Sequence, residues 1–325
     1  MKKTLYALAA IGFCSAFMFG CSPNKKEDKK IVLKQPVHIL LPKSAPSLPL
    51  LRMVETGTFG NKESAKVTFY TDYGKLTAAA TNGEYTYIVA PSNILANLYN
   101  KGIKGKFVNV AMGSSVAFVT TDSSVNEVPD LKSKKIYVPP KGSLPSIMAE
   151  YFLETNGVKV QDVEFVYSTH QDIAGFLENG SAKYAVDVQP YRTRNSKKIS
   201  GYKTILDFSE DWGEKHNGQQ LPNFSIMKNV GTYEQAKSVI DDDLFNKALH
   251  DAMLWCKKEP VGAVELLGKN INVNKTVMIP AMSAMSFNYM EPSDGIKCVK
   301  EYYKMLADFK KEKIGGKVPN EKFYE

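Results

Sequence analysis

The chain has 325 residues, of which 43% are hydrophobic and 23% charged, and its formal net charge is +8. A chain of this length can bury the core of one large domain or of two smaller ones. Lys2, Lys3 and an excess of three lysines in residues 22–34 account for five of the eight charges, so the rest carries about +3. That excess is too small for a nucleic-acid-binding surface.

The N-terminus has the features of an export signal. Two lysines precede an apolar stretch, residues 5–19, that is shorter than the ~20 residues needed to span a membrane. Gly20 then precedes Cys21, and this arrangement resembles a bacterial lipoprotein signal. We therefore predict a signal peptide over residues 1–20, lipidation of Cys21 and a polar tether over residues 21–35. An ordinary secretory signal cleaved nearby is the alternative.

The rest of the chain alternates strand-like and helix-like segments. Apolar runs at 37–41, 66–70, 85–90, 134–139, 163–167 and 184–188 are strand-like, and the first five each precede a helix-like run. This alternation predicts an α/β fold with mostly parallel sheets covered on both faces. The last hundred residues read mostly as amphipathic helices.

A weak internal repeat predicts two similar lobes. "TNGEYTYIVAPS" (81–92) and "ENGSAKYAVDVQPY" (178–191) both run from a helix ending at Asn-Gly, through a short strand, to a proline. The polar segment before residue 134 suggests a crossing between lobes, and residues 218–230 suggest the return. We predict that lobe 1 comprises residues 36–122 and 222–325, and lobe 2 residues 123–221.

Three strand-to-helix turns place a serine before a helix. Ser47, Ser92 and Ser143 are predicted N-caps, whose hydroxyls accept hydrogen bonds from the first turn. The N-terminus of a helix also favours anions, and in a parallel sheet these turns share the carboxyl edge, where ligands bind. A simple capping role is the alternative for each serine.

Aromatic side chains follow two other strands. Tyr73 follows the second predicted strand and Tyr191 the sixth. Amphipathic rings at a cleft favour a small ligand with a flat apolar body. Covering the sheet edges is an equally good reading of these rings.

An acid interrupts the apolar strand "YAVDV". Asp187 lies two residues before Gln189, so strand alternation puts both side chains on one face. We expect Asp187 either to pair with Arg192 or Arg194 or to meet a donor on a ligand in the cleft.

Evidence for catalysis or for a cofactor is thin. The four histidines are scattered without metal-ligand spacing, and no phosphate loop, nucleophile elbow or dinucleotide fingerprint is present. We therefore expect no cofactor, no metal and no enzymatic activity. Cys256 and Cys298 lie in helix-like segments and are expected to be buried, unpaired thiols.

Several segments carry a family resemblance. "IVAPSNILANLYNKG", "VPDLKSKKIYVPPKGSLPSIMAEYFLETNGV" and "GFLENGSAKYAVDVQPYRT" resemble the nitrate/sulfonate/taurine/thiamine-precursor-binding family of ABC-importer substrate-binding proteins, which has the type II periplasmic-binding-protein fold. Ser133 stands where this family usually has glycine. Gln189 stands where a glutamate is common, and Asp187 where an aliphatic residue is usual.

The resemblance implies a hinged, two-lobed receptor that captures a small organic ligand and delivers it to an ABC permease and its ATPase. Such a protein would be a monomer held by its lipid on the extracytoplasmic side of a membrane. The implied ligand contacts are Ser44, Ala45, Ser47, Tyr73, Pro91, Ser92, Ser114, Ser115, Lys141, Gly142, Ser143, Gln189 and Tyr191. Asp187 joins these candidates because it shares a strand face with Gln189.

The chemistry of the ligand stays open at this point. Lys43 and Lys141 favour a sulfonate-type or carboxylate anion. Asp187 and the two tyrosines instead favour a cationic or aromatic heterocycle such as a thiamine precursor or a flavin. The alternatives to an importer receptor are a ligand sensor or surface lipoprotein without a transporter, and an enzyme on the same fold.

Overall fold

The computed structural model describes residues 36–61, 63–236 and 240–325, and the predicted signal, tether and Cys21 lie outside them. Ten strands form two five-stranded sheets. The first sheet has the order β2-β1-β3-β10-β4, with β1 Val37–Pro42, β2 Ala65–Tyr70, β3 Tyr87–Pro91, β4 Gly105–Gly113 and β10 Pro222–Asn229. The second has the order β7-β6-β8-β5-β9, with β5 Val116–Thr120, β6 Lys135–Val138, β7 Glu164–Tyr167, β8 Tyr184–Val188 and β9 Lys203–Asp207.

Twelve α-helices are assigned in the described part of the chain. The first seven connect or follow the strands, and the last five follow β10. They are α1 Leu48–Glu55, α2 Tyr73–Asn82, α3 Ser92–Asn100, α4 Leu144–Thr155, α5 His170–Glu178, α6 Tyr191–Lys198, α7 Phe208–Lys215, α8 Val230–Ala236, α9 Asp242–Lys258, α10 Pro260–Asn270, α11 Lys275–Ala281 and α12 Pro292–Lys310.

Each sheet is parallel except for one strand. In the first sheet β1 pairs parallel with β2 and β3, and β10 runs antiparallel to both of its neighbours. In the second sheet β6 pairs parallel with β7 and β8, and β5 runs antiparallel to its neighbours. The predicted α/β class and mostly parallel sheets are therefore confirmed.

The two antiparallel strands are the ones that adjoin the crossings between the sheets. β4 ends at Gly113 in the first sheet and β5 begins at Val116 in the second, so the first crossing is at Ser114 and Ser115. If each lobe is taken as one sheet, the chain enters the second lobe at residues 114–115, before the predicted boundary after residue 122. The return runs from α7 to β10, and the Ser114 amide donates to the Leu221 carbonyl at 2.9 Å. The two crossings therefore lie side by side, and we call this pair of connections the hinge.

One hydrophobic core reaches across both lobes. Its buried members include Ile88 of β3, Phe118 of β5 and Phe152 of α4, so side chains from both sheets pack in a single cluster. Helix α12 adds Tyr302, whose ring lies 6.2 Å from that of Trp212 in α7. The two lobes are thus joined by packing as well as by the crossings.

Turn geometry explains two features of the sequence. Gly83 ends α2 in the left-handed conformation, as the Asn-Gly signal predicts. Ser133, which stands where the resembling family has glycine, has φ of +62°. A side chain tolerates this region poorly, so the backbone here has the geometry that glycine favours.

Cys256 and Cys298 are unpaired and buried, which confirms the expectation for both thiols. Over the described ranges, no helix combines the length and the apolar character that a membrane crossing requires.

Candidate functional site: a cleft between the two sheets

A cavity of about 1000 Å³ opens between the two lobes. Its walls come from turns that follow β1, β2 and β3 in the first sheet and β6, β7 and β8 in the second, together with the start of β5 and β10. These turns meet because parallel strands present their carboxyl ends at one edge, and the antiparallel strands start there. The volume matches the size of pockets that hold small molecules.

Nine of the fourteen predicted contact residues line this cavity. They are Ser44, Ala45, Tyr73, Pro91, Ser115, Lys141, Ser143, Gln189 and Tyr191. The other five predicted residues are absent from its lining and are Ser47, Ser92, Ser114, Gly142 and Asp187.

Ser47 and Ser92 point into the protein, and the prediction that they cap helices is wrong. The Ser47 hydroxyl donates to the carbonyls of Pro42 and Ser44, and it makes no bond to the first turn of α1. The Ser92 hydroxyl bonds with that of Ser225 in β10 at 2.8 Å. These two serines therefore tie the turns to their own lobe.

Ser143 stands at the N-cap position of α4 but makes no capping bond. Ser146 does the local bonding instead, since its hydroxyl donates to the Ser143 carbonyl and accepts from the Gly142 amide, both at 2.9 Å. The Ser143 hydroxyl is buried without a hydrogen-bond partner, and so is the hydroxyl of Ser115, which directly precedes β5. Buried hydroxyls normally have partners, so these two are candidates for bonding a ligand.

Asp187 lies behind the cleft wall, not in it. It is 2% exposed and accepts hydrogen bonds from the Asn195 amide and the Tyr202 hydroxyl, both at 2.9 Å. Neither predicted arginine pairs with it, because Arg192 binds Asp207 and Arg194 binds Glu178. Burial is the main cause that raises the pKa of Asp187, while its hydrogen bonds oppose the rise. Its position in the network holds α6 against β8.

Gln189 and Tyr191 are the second lobe's contribution from that same strand end. The Gln189 side-chain oxygen accepts from the Thr193 hydroxyl at 2.9 Å and from the Thr193 amide at 3.2 Å. Arg194 lies 5.5 Å from the centre of the Tyr191 ring and also binds Glu178. The wall is therefore fixed by contacts within α6 and with α5.

His170 is a cleft residue that sequence reasoning missed. It begins α5, lines the cavity, and its Nδ1 is buried without a partner. Burial lowers its pKa, so the neutral imidazole is the favoured form. Its place directly after β7, at the start of a predicted helix, is the signal that could have found it.

A third wall comes from outside both sheets. Residues 271–285, between α10 and α12, contribute Ile271, Val273, Val277, Met278 and Met285 to the lining. Helix α11 in this segment contacts α10 on one side and α6 of the second lobe on the other. No strand-to-helix turn signals these residues in the sequence, so only the tertiary fold reveals them.

The charged groups of the cleft are mostly basic. Among the described residues of the lining, Lys43, Lys141 and Arg194 face a single carboxylate, that of Asp72. Asp72 accepts a hydrogen bond from the Lys75 amide at the start of α2, and this bond is the main cause of its lowered pKa. Since Arg194 is bound to Glu178, the two lysines are the cations left to meet a ligand.

Within the described ranges, no group of three or more histidine, cysteine or acidic side chains is placed to hold a metal ion. His170 is the one histidine among the lining residues that the structure describes, and its Nδ1 has no hydrogen-bond partner.

Solved structures of bacterial binding proteins have a similar fold. An ABC transporter structure from Parabacteroides distasonis matches with a TM-score of 0.71 and 16% identity, over 89% of this chain and 98% of that one. The chain has the fold of ABC-importer binding proteins. The predicted two-lobed periplasmic-binding-protein fold is thereby confirmed.

Two further neighbours bind sulfonates. The periplasmic aliphatic sulphonate-binding protein of Escherichia coli matches with a TM-score of 0.66 and 13% identity, over 90% of this chain and 99% of that one. The alkanesulfonate-binding protein of Xanthomonas axonopodis pv. citri, bound to MOPS, matches with 0.63 and 13% identity, over 89% and 96%. No family model and no curated protein matches the chain.

Proposed function

We propose that this protein is the solute receptor of an ABC importer and that it binds a small organic anion in the interlobe cleft. The observation that carries the proposal is the cavity itself, which is lined by turns from both sheets beside a two-stranded hinge. A ligand that contacts both lobes would hold them together, and a permease would distinguish that arrangement from the open one.

The chemistry of the cleft favours an anion with an apolar or aromatic body. Lys43 and Lys141 supply positive charge, and the unpartnered hydroxyls of Ser115 and Ser143 offer hydrogen bonds. Because Asp187 is behind the wall, the argument for a positively charged heterocycle loses its main residue. A sulfonate or carboxylate is therefore the better head group.

Apolar side chains supply the seat for the rest of the ligand. Tyr73 and Phe224 come from the first lobe, and Met278 and Met285 from the third wall. Methionine side chains adapt to irregular apolar groups, so they suit a ligand with a flexible or ring-shaped body.

The cellular setting is part of the same proposal. We propose that Cys21 carries a lipid that anchors the receptor on the extracytoplasmic side of a membrane, as a monomer that meets its permease and ATPase there. Mass spectrometry of the protein purified from membranes tests this, since a lipidated N-terminal cysteine adds a mass that Cys21→Ser abolishes.

A thermal-shift panel tests the binding function. We expect at least one of MOPS, butanesulfonate, octanesulfonate, benzoate, nitrate or a thiamine precursor to raise the melting temperature, because a ligand that binds only the folded state stabilises it by RT ln(1 + [L]/Kd). No shift with any compound, and no small molecule released from the purified protein on denaturation, would contradict the proposal.

A lysine variant tests the anion site. Lys141→Gln should weaken binding of a responsive anion about tenfold or more, in line with a charge-assisted hydrogen bond worth roughly 1.5–3 kcal/mol. Lys132→Gln is the matched control, since this exposed lysine is absent from the cavity lining. Equal affinities in both variants would remove Lys141 from the site.

A further inference from the structure

A second cavity, of about 590 Å³, lies at the hinge. One wall is α7, with Ser209, Glu210 and Gly213, and the opposite wall is the start of α12 with the segment before it. Helix α7 contacts β5 and β9 of the second sheet, whereas α12 contacts β4 and β10 of the first. The second cavity is therefore also an interlobe space.

The return crossing and the segment before α12 separate the two cavities. Met285 lines the cleft, and its neighbour Ser286 lines the second cavity. The return crossing also contributes to both cavities, because Gln220 lines the second cavity and Asn223 lines the cleft. Because the hinge lies between the cavities, a rotation that widens one of them narrows the other.

Hydrogen bonds connect the second cavity directly to the hinge. The Ser209 hydroxyl of α7 donates to the Ser114 carbonyl at 2.8 Å, and the Gly113 amide donates to the Ser286 carbonyl at 2.9 Å. On the α12 side the Cys298 thiol, which lines the cavity, donates to the Gln220 carbonyl at 2.9 Å. Movement of the return crossing relative to α12 must break this last contact.

We propose that the cavity behind the hinge changes width in the opposite sense to the cleft, so that a group lodged in it biases the receptor toward the closed cleft. The inference rests on the proposed function in one respect, namely that the lobes move. It adds a regulatory space, since an occupant of the second cavity and a solute in the cleft then influence each other's affinity equally.

Two buried thiols in the described part of the chain, Cys256 and Cys298, offer a matched measurement. Cys256 is 0% exposed and Cys298 is 1% exposed, and burial raises the pKa of each thiol to about 12. Cys256 lies in a packed core, whereas Cys298 lies in the wall of the second cavity, so reagent access to Cys298 depends on the width of that cavity. Cys256 belongs to the core of the first lobe, away from the hinge, so hinge motion should uncover Cys298 alone.

The experiment is alkylation of the native protein by iodoacetamide, with the modified cysteine identified by mass spectrometry. We expect Cys298 to react at least tenfold faster than Cys256. We also expect the Cys298 rate to vary little with low concentrations of urea, because hinge motion exposes less surface than unfolding. Equal rates that rise together with urea would overturn the proposal, since both thiols would then be uncovered only by global unfolding.

The alkylated protein tests whether a group in the second cavity affects solute binding in the cleft. In a Cys256→Ser protein, alkylation of Cys298 places a group in the second cavity, and a solute that gives a thermal shift should dissociate at least threefold more slowly after the reaction. An unchanged or faster dissociation rate would overturn the proposed direction, with Cys298→Ser treated identically as the control for side reactions. If no solute binds at all, the proposed function fails while the alkylation rates still decide the hinge motion.

Discussion

Asp187 shows how a residue behind the wall of the candidate site can act through structure alone. Its carboxylate accepts hydrogen bonds from Asn195, Tyr202 and the Val188 amide, and these donors hold α6 and the strand end that carry Gln189 and Tyr191. The alternation of strand side chains predicts which face Asp187 occupies, but not which lobe surface covers that face. The partners come from eight and fifteen residues further on.

Replacing Asp187 with alanine should destabilise the protein. Three donors would lose their acceptor, of which Asn195 is buried and the other two are part-buried, and an unsatisfied buried group costs about 1–3 kcal/mol. Urea unfolding followed by circular dichroism measures this change in the free energy of unfolding. Asp251→Ala, at an exposed position on α9, should change it by less than about 0.5 kcal/mol. A loss of solute affinity at unchanged stability would contradict this role and return Asp187 to the ligand site.

His170 makes the stability of the folded protein depend on pH. Burial lowers the pKa of its imidazole in the folded protein below the unfolded value of about 6.5. The unfolded chain then binds the proton more tightly, so the stability from this residue is present above about pH 6.5 and is lost as the pH falls below it. Its place in the first turn of α5 adds to the penalty on the charged form.

Comparing variants at two pH values isolates this effect. The fall in the urea midpoint from pH 7.5 to pH 5 should be smaller in His170→Asn than in the wild type. His250→Asn, at an exposed position on α9, is the matched histidine control. An identical fall in all three proteins would show that His170 does not titrate differently on folding.

At the scale of elements, the strands were the most predictable part of the fold. Runs such as 37–41 and 184–188 agree with β1 and β8 because buried strands of a parallel sheet leave a continuous apolar signal. The turns that line the cleft could be predicted from the positions at which the strands end. The third wall could not be predicted, because residues 271–285 carry no feature that names α6 as their neighbour.

The short 3-10 helix Glu321–Phe323 fastens the end of the described chain to the first lobe. Phe323 is fully buried, and its ring lies 4.7 Å from that of Tyr99 in α3 and 6.4 Å from that of Phe107 in β4. Phe323→Ala should lower the free energy of unfolding by about 3–5 kcal/mol, since it removes a large side chain from a packed core.

Urea unfolding again provides the measurement for this helix. Tyr167→Ala is a suitable comparison because Tyr167 is among the exposed aromatic residues, and it should cost less than about 1 kcal/mol. Similar losses in the two variants would mean that the 3-10 helix contributes little to the fold.

At the scale of the whole molecule, the shared core predicts one cooperative unit. Side chains of both sheets pack in a single cluster, and α12 joins them further through the Lys310–Glu150 ion pair at 2.5 Å. The chain has two tryptophans, Trp212 in α7 of the second lobe and Trp255 in α9 against the core of the first. We expect the two lobes to unfold together.

Single-tryptophan proteins test this cooperativity. In Trp212→Phe the fluorescence reports the first lobe, and in Trp255→Phe it reports the second. Within each variant, the urea midpoint from fluorescence should coincide with that from circular dichroism. Separate midpoints in either variant would show that the lobes unfold independently.

The placement of the cleft on turns has an evolutionary consequence. Residues such as Ser44, Lys141 and Gln189 line the cavity, while the strands that precede them are largely buried in the two sheets. Substitutions at the turns can therefore change what is recognised with little effect on the core, and the third wall can change its length without entering either sheet. A scaffold of this kind lets the lining of the cleft diverge between proteins while the two sheets stay the same.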